Sequence, residues 1–253
     1  MEFFDCNTCY GIFSVPPYKR ADSVEHLLKE MEWCGIQRAL VRHAAMIDES
    51  PIVGNPLLIE QTQPYENLEP SWTILPPQTR ELGTVEQFIS AMKENGVKAL
   101  WTFPSKHRYL LNGTTFGELF DEMIARGIPL FMERNEGSGA LLGWAVAETV
   151  LADFPELTMI LVGHGSWGED RYFRPMIEKY TNFYVDTSRY ELDGGIADFC
   201  RTYGPDRMLF GTNFPNTPMG GAMLTLMHAD ISDDAKEAIA GGNLQRILSE
   251  VKL

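Results

Sequence analysis

Apolar residues in this chain follow two alternating patterns. Short runs rich in Val, Ile, Leu and Phe give way to stretches in which apolar positions recur at i, i+3, i+4 and i+7, and the alternation repeats along the chain. The runs FFDCNTC, IQRALVRH, SWTILPP, VKALWTFP, IPLFMERN, LTMILVGHG, NFYVDTS and RMLFGTNFP read as continuous apolar segments more than as alternations. That is what strands covered on both faces require. Between them, Val24, Leu27, Leu28 and Met31 form a helical stripe closed by Gly35, with Asp22 and Glu25 as its predicted cap. Thr84 with Gln87 introduces a second stripe, Val85, Phe88, Ile89 and Met92, which stops at Gly96. Thr115 with Glu118 introduces a third, Phe116, Leu119, Phe120 and Met123, which stops at Gly127. Further helices are predicted over roughly 143–154, 169–180 and 193–203.

Eight strands joined by helical crossovers, with a closing helix, predict an α/β fold of the (β/α)8 TIM-barrel type, spanning 1–253 as one domain. An open doubly wound sheet fits less well, because no G-x-G-x-x-G follows the first strand and no P-loop occurs. The segment 44–69 is too long for a bare connector. It is expected to hold a short helix starting after Asn55 and Pro56, and otherwise to add wall over the barrel mouth.

Composition narrows the picture. A chain of 253 residues with 44% apolar content sustains one sizeable core. A formal charge of −14 argues against a nucleic-acid partner, whose phosphates would be bound against net repulsion. The N-terminal MEFFDCNTCYG has no basic segment leading into a long apolar run, so the expectation is a cytoplasmic protein with no membrane partner. Four cysteines do not make a disulfide framework in a chain this long. Cys6 and Cys9 spell C-x-x-C, but three positions apart on a strand they point to opposite faces.

In a barrel the working residues stand at the C-terminal ends of the strands. This selects Asn7 and Cys9, His43, Phe103 and Lys106, Glu133 and Arg134, His164, Asp186 and Arg189, and Asn213. Period two places Asp5, Asn7 and Cys9 on one face of the first strand.

The stretches LTMILVGHG, RMLFGTNFP and the terminal GGNLQRIL, in that order, resemble the amidohydrolase-related family of metal-dependent hydrolases and decarboxylases. The resemblance covers nearly the whole chain. It implies two metal-binding histidines at the positions held here by Asn7 and Cys9. It also implies a histidine on the sixth strand, present as His164, and an aspartate on the eighth, which falls on Asn213. A further histidine on the fifth strand has only Met132 and Glu133 near its place.

These departures change the expected chemistry. A neutral amide keeps the shape of aspartate but loses its charge, and a dication needs three or four strong donors. No family-type metal centre is therefore expected. The remaining metal reading is a zinc ion on Cys9, Glu133 and His164. Without metal, His164 would activate water, its other ring nitrogen held by Glu133 or Asp186. Cys9 could be a nucleophile with His164 as its base, or an inert buried thiol. Arg134 and Arg189, helped by Lys106 and His107, could fix a substrate carboxylate, or could pair with Glu136 and Glu191. Trp167, with Trp101 and Trp144, would supply apolar wall. The reading is a hydrolase of a small carboxylated ester, lactone or amide. The alternatives are a decarboxylase of the same family or a catalytically degenerate barrel that binds a small molecule. The resemblance also implies a homodimer, with Ile52, Val53, Leu57 and Leu58 either at the contact or covering the barrel.

Overall fold

The computed structural model describes residues 1–136, 142–163 and 169–253. Its strands are β1 (Phe4–Tyr10), β2 (Arg38–His43), β3 (Leu68–Pro70), β4 (Trp72–Thr73), β5 (Leu100–Thr102), β6 (Leu130–Glu133), β7 (Met159–Val162), β8 (Phe183–Asp186) and β9 (Met208–Leu209). All their pairings are parallel, in the orders β1-β2-β3 and β4-β5-β6-β7-β8-β9.

β3 and β4 are two halves of one stave. The first half lies on β2 and the second on β5. At the joint, Ser71 donates both its N–H (3.0 Å) and its hydroxyl (2.6 Å) to the Val41 carbonyl. The third stave thus begins three residues before the apolar run SWTILPP, inside the segment expected to be loop. The ring closes between β9 and β1, where Cys6 N donates to Phe210 O and Cys9 N to Phe214 O, each at 2.9 Å.

Side chains alternate between two cores, as a closed parallel sheet requires. Leu40, Ala99, Trp101, Phe131, Ile160, Val162, Tyr184 and Leu209 fill the barrel, and Leu244, Ile247 and Leu248 of the helix Asn243–Ser249 pack against the same cluster. Their strand neighbours Ala39, Val41, Leu100, Leu130, Met132, Met159, Leu161 and Val185 face the helices instead.

β1 departs from simple alternation. Asp5 pairs with Ala39 and Thr8 with Val41, so Cys6 and Asn7 together oppose Leu40 in a bulge. The extra residue changes the phase, which leaves Asp5 level with outward-facing Ala39. Asn7 and Cys9 face inward without it, because Cys9 pairs with Arg42 two places beyond Leu40.

The helices keep their predicted stripes, but two begin differently. The first, Val24–Cys34, takes extended Ser23 as its N-cap, while Asp22 pairs with Arg20 at 2.5 Å. Thr84 and Gln87 do form the reciprocal box, with bonds of 3.2 and 2.9 Å. The next helix, Gly113–Arg126, is capped by Asn112, whose Oδ1 accepts from Thr115 N at 3.1 Å; Thr115 is inside the first turn. Segment 44–69 holds helices Ala45–Asp48 and Pro51–Thr62. The second starts at Ser50-Pro51, ahead of Asn55 and Pro56, because the Ser50 hydroxyl caps Ile52 N and Pro51 supplies the preset first-turn φ. Asn55 serves packing, bonding Thr73 through both its amide atoms at 3.0 and 2.9 Å. In this helix Leu58 is buried, whereas Ile52 and Val53 are about half exposed.

Candidate active site

Four strands, β1, β2, β6 and β8, build a buried polar cluster over the aromatic floor of the barrel. Arg42 follows Leu40 by two places and so points inward. Its guanidinium carbon lies 4.0 Å from the centroid of the Trp101 ring, which is itself stacked on Phe131. Cation–π contact with a desolvated indole is worth about 2 kcal/mol. Nη1 donates to Asn7 Oδ1 at 2.8 Å and Nη2 to Glu133 Oε1 at 2.6 Å. The Arg42 side chain is 2% exposed and that of Glu133 27%, so the cation is sealed beneath a carboxylate that reaches solvent. Among the described residues the Nε–H of Arg42 has no hydrogen-bond partner.

Asn7 joins this cation to a buried acid. Its Nδ2 donates to Asp186 Oδ2 at 3.3 Å and to Ser188 Oγ at 3.2 Å. Ser188 Oγ in turn donates to Asp186 Oδ2, and Gly163 N donates to Asp186 Oδ1 (2.9 Å) and Ser188 Oγ (3.0 Å). Despite these donors, burial pushes the Asp186 carboxyl up to about 7, with the charge of Asp5 acting in the same direction. Burial likewise lifts Asp5 to about 6, against donors from Thr212 and Asn7 N. Asp5 thereby clamps the barrel seam, accepting from Thr212 N at 3.0 Å and Thr212 Oγ1 at 2.5 Å.

Of the residues selected from the sequence, the cluster gathers Asn7, Cys9, Glu133 and Asp186. Glu133 faces inward, beside the outward-facing Met132, but its carboxylate is committed to Arg42. Cys9 lies beside the same guanidinium. Burial nevertheless raises its thiol to about 12, so it stays protonated at neutral pH. Asn213 takes a different part. It sits in the left-handed region at φ 58°, where asparagine is tolerated, and its Oδ1 accepts from Asn216 Nδ2 at 3.4 Å in the following turn. Its predecessor Thr212 is the residue that bonds across to β1.

The expected carboxylate-binding cations are paired. Arg134 meets Glu169 at 2.8 Å, Arg189 lies 3.9 Å from Glu191, and Lys106 lies 3.7 Å from Asp48. His43 is a packing histidine, edge-on to Tyr10 and accepting from Ala45 N at 3.1 Å. His164 and Trp167 lie outside the described residues. Arg42 and Ser188 were missed by reading the sequence, although each had a signal: a charge two places past an inward leucine in RALVRH, and a hydroxyl two places past Asp186 in VDTS.

This geometry defines a parallel (β/α)8 barrel with its polar cluster at the carboxyl ends of the strands, where such folds carry out their chemistry. The amidohydrolase family model matches residues 55–249, and the chain belongs to that family. No curated protein matches it. Among solved structures, it is similar to an uncharacterized TIM-barrel protein, Bb4693, from Bordetella bronchiseptica (22% identity, 99% of each chain, TM-score 0.77). It is similar to 5-carboxyvanillate decarboxylase LigW from Sphingomonas paucimobilis (15% identity, 99% of each chain, TM-score 0.73). A dihydroxybenzoic acid decarboxylase from Polaromonas sp. JS666, solved with bound manganese and the inhibitor 2-nitroresorcinol, shares the fold at 16% identity and TM-score 0.75. That alignment covers 98% of this chain and 97% of the other. No helix among the described residues is long and apolar enough to cross a membrane.

Manganese in a relative raises the question of whether these residues suit a dication. Among the described residues, no group of three His, Cys, Asp or Glu side chains is arranged to hold one. Two of the candidate donors, Asn7 Oδ1 on the first strand and Glu133 Oε1, already accept from Arg42. A dication about 4 Å from that guanidinium would be repelled by about 8 kcal/mol at an effective dielectric near 20. The described residues therefore do not fit a metal while Arg42 holds its place.

Proposed function

We propose that this barrel is a carboxy-lyase, removing CO2 from a small aromatic or enolic acid that carries an oxygen on the carbon next to the carboxylated one. The observation that carries the reading is the Asn7 amide, which bridges a buried acid, Asp186, to a buried cation, Arg42. An acid and a cation side by side are what such a reaction asks for. The proton passes from Asp186 through the Ser188 hydroxyl to the carboxylated carbon. The bond to the carboxylate then breaks, neutral CO2 leaves, and the electron pair flows toward the neighbouring oxygen. Arg42 stabilises the anionic charge developing there. Asp186, left as a carboxylate, regains its proton from solvent. The step is redox-neutral and consumes no water.

Hydrolysis is supported less well. It needs a base for water, and among the described residues Glu133 is held by Arg42 while burial keeps Asp186 partly protonated at neutral pH. The named activities of two similar structures are also decarboxylations. The test is a panel of hydroxybenzoates, β-keto acids, lactones and aryl esters, followed for 13C-bicarbonate release and for solvent deuterium at the vacated carbon. Ser188→Ala and Asp186→Asn should each lower turnover by about 10²-fold or more. Ester or lactone turnover with no CO2 from any acid would overturn the assignment.

A further inference from the structure

The most unusual buried group in the molecule is the Arg42 side chain. It is sealed from solvent, stacked on Trp101, and oriented by Asn7 and Glu133, yet its Nε–H has no hydrogen-bond partner among the described residues. A buried donor left unmet is costly, and a ligand oxygen is one partner that would meet it. Arg42 also lies beside Cys9 and holds the oxygen of Asn7, the two positions at which related barrels are expected to bind metal.

We infer that the Arg42 guanidinium is the resident cation of this barrel, standing in for a divalent metal, and that its unpaired Nε–H receives an anionic oxygen of the ligand. The inference extends the carboxy-lyase reading by assigning the charge that holds the substrate. It is tested by binding and metal content, so it stands or falls separately from turnover.

Three consequences follow from the geometry. First, a fixed monocation suits a singly charged oxygen ligand and disfavours a second cation, so added dications should not bind. Second, Glu133 competes with the ligand for Arg42, being an anion on the same guanidinium at the solvent side. Neutralising it should strengthen anion binding rather than weaken it. Third, the exposed cations Arg189 and Lys106 and the half-buried Arg134, each already with its own carboxylate, should contribute little.

The experiment uses the full chain purified without chelator. Metal content is measured by mass spectrometry, and manganese(II) and zinc(II) chloride are each titrated by calorimetry, as is 2-hydroxybenzoate. We expect less than about 0.1 equivalent of retained metal and no saturable dication binding up to about 1 mM. The 2-hydroxybenzoate affinity should fall by about tenfold or more in Arg42→Gln, rise by about threefold in Glu133→Gln, and stay within about twofold in Arg134→Gln. Should Arg42→Gln fail to fold, the wild-type metal measurements and Glu133→Gln decide alone. One equivalent of tightly held metal in the wild type, unchanged affinity in folded Arg42→Gln, or weakened binding in Glu133→Gln would each overturn the inference.

Discussion

At the scale of single residues, the cluster is held in an unusual charge state, and that state has a measurable sign. Burial raises the folded-state pKa of Asp186 from 3.8 to about 7. A carboxyl raised in this way contributes most below its unfolded pKa, and the contribution is lost as pH climbs through the folded value. Stability attributable to this side chain should therefore fall between about pH 4 and pH 7, opposite to the usual salt-bridged carboxylate. In Asp186→Asn this part of the slope disappears, while the part due to Asp5, raised in the same sense to about 6, remains. Denaturant unfolding at several pH values should show the wild type losing about 1–2 kcal/mol relative to the variant between about pH 5 and pH 8. Parallel curves would mean that Asp186 is ionised throughout and cannot act as the acid.

The same scale explains what a sequence hides. A charged residue within an apolar strand is visible, but its partners are not. Arg42, Glu133 and Asn7 lie on three different strands, and no spacing along the chain states that they meet. The asparagine of RMLFGTNFP stands out in the text of the sequence, while its neighbour Thr212 makes the cross-barrel bond to Asp5. A change of backbone hand at residue 213 accounts for that difference.

At the scale of elements, the sequence was most legible where one face repeats. Each helical stripe appears as predicted, because burying one face of a crossover helix needs no knowledge of the rest. Boundaries were less legible wherever two capping candidates compete. Asp22 and Ser23 both can cap, as can Asn112 and Thr115, and the choice depends on which residue is extended in the finished loop. Thr84 and Asn112 now make distinct, testable contributions, since each side chain meets a backbone N–H at a helix start. Thr84→Ala and Asn112→Ala should each cost about 1 kcal/mol in denaturant unfolding, whereas Thr115→Ala should cost less than about 0.5 kcal/mol at the third cap. Equal losses at Asn112 and Thr115 would contradict the assigned start. The split third stave and the β1 bulge were beyond reach of periodicity. Both are decided by pairing with neighbouring strands, and the bulge in turn decides which polar residues of β1 belong to the cluster.

At the scale of the whole molecule, one buried cation works inside a strongly acidic body. The chain carries 35 acidic against 21 basic residues, so the folded state gathers a net −14 into a small volume and repels itself. Surface ion pairs such as Lys179 with Glu148 or Arg201 with Asp198 offset this only slightly, being exposed and screened. Added salt weakens both effects, but the long-range repulsion is the larger sum and the Debye length drops to about 10 Å at 0.1 M. The Arg42–Glu133 contact and the Arg42–Trp101 stack, largely out of solvent, are nearly unaffected. The melting temperature should therefore rise as sodium chloride goes from about 20 to 300 mM, by about 2–4 °C if screening recovers about 1 kcal/mol. Thermal unfolding across that range measures it. A fall would show that exposed ion pairs, and not the packed barrel with its enclosed cation, carry the electrostatic stability of the fold.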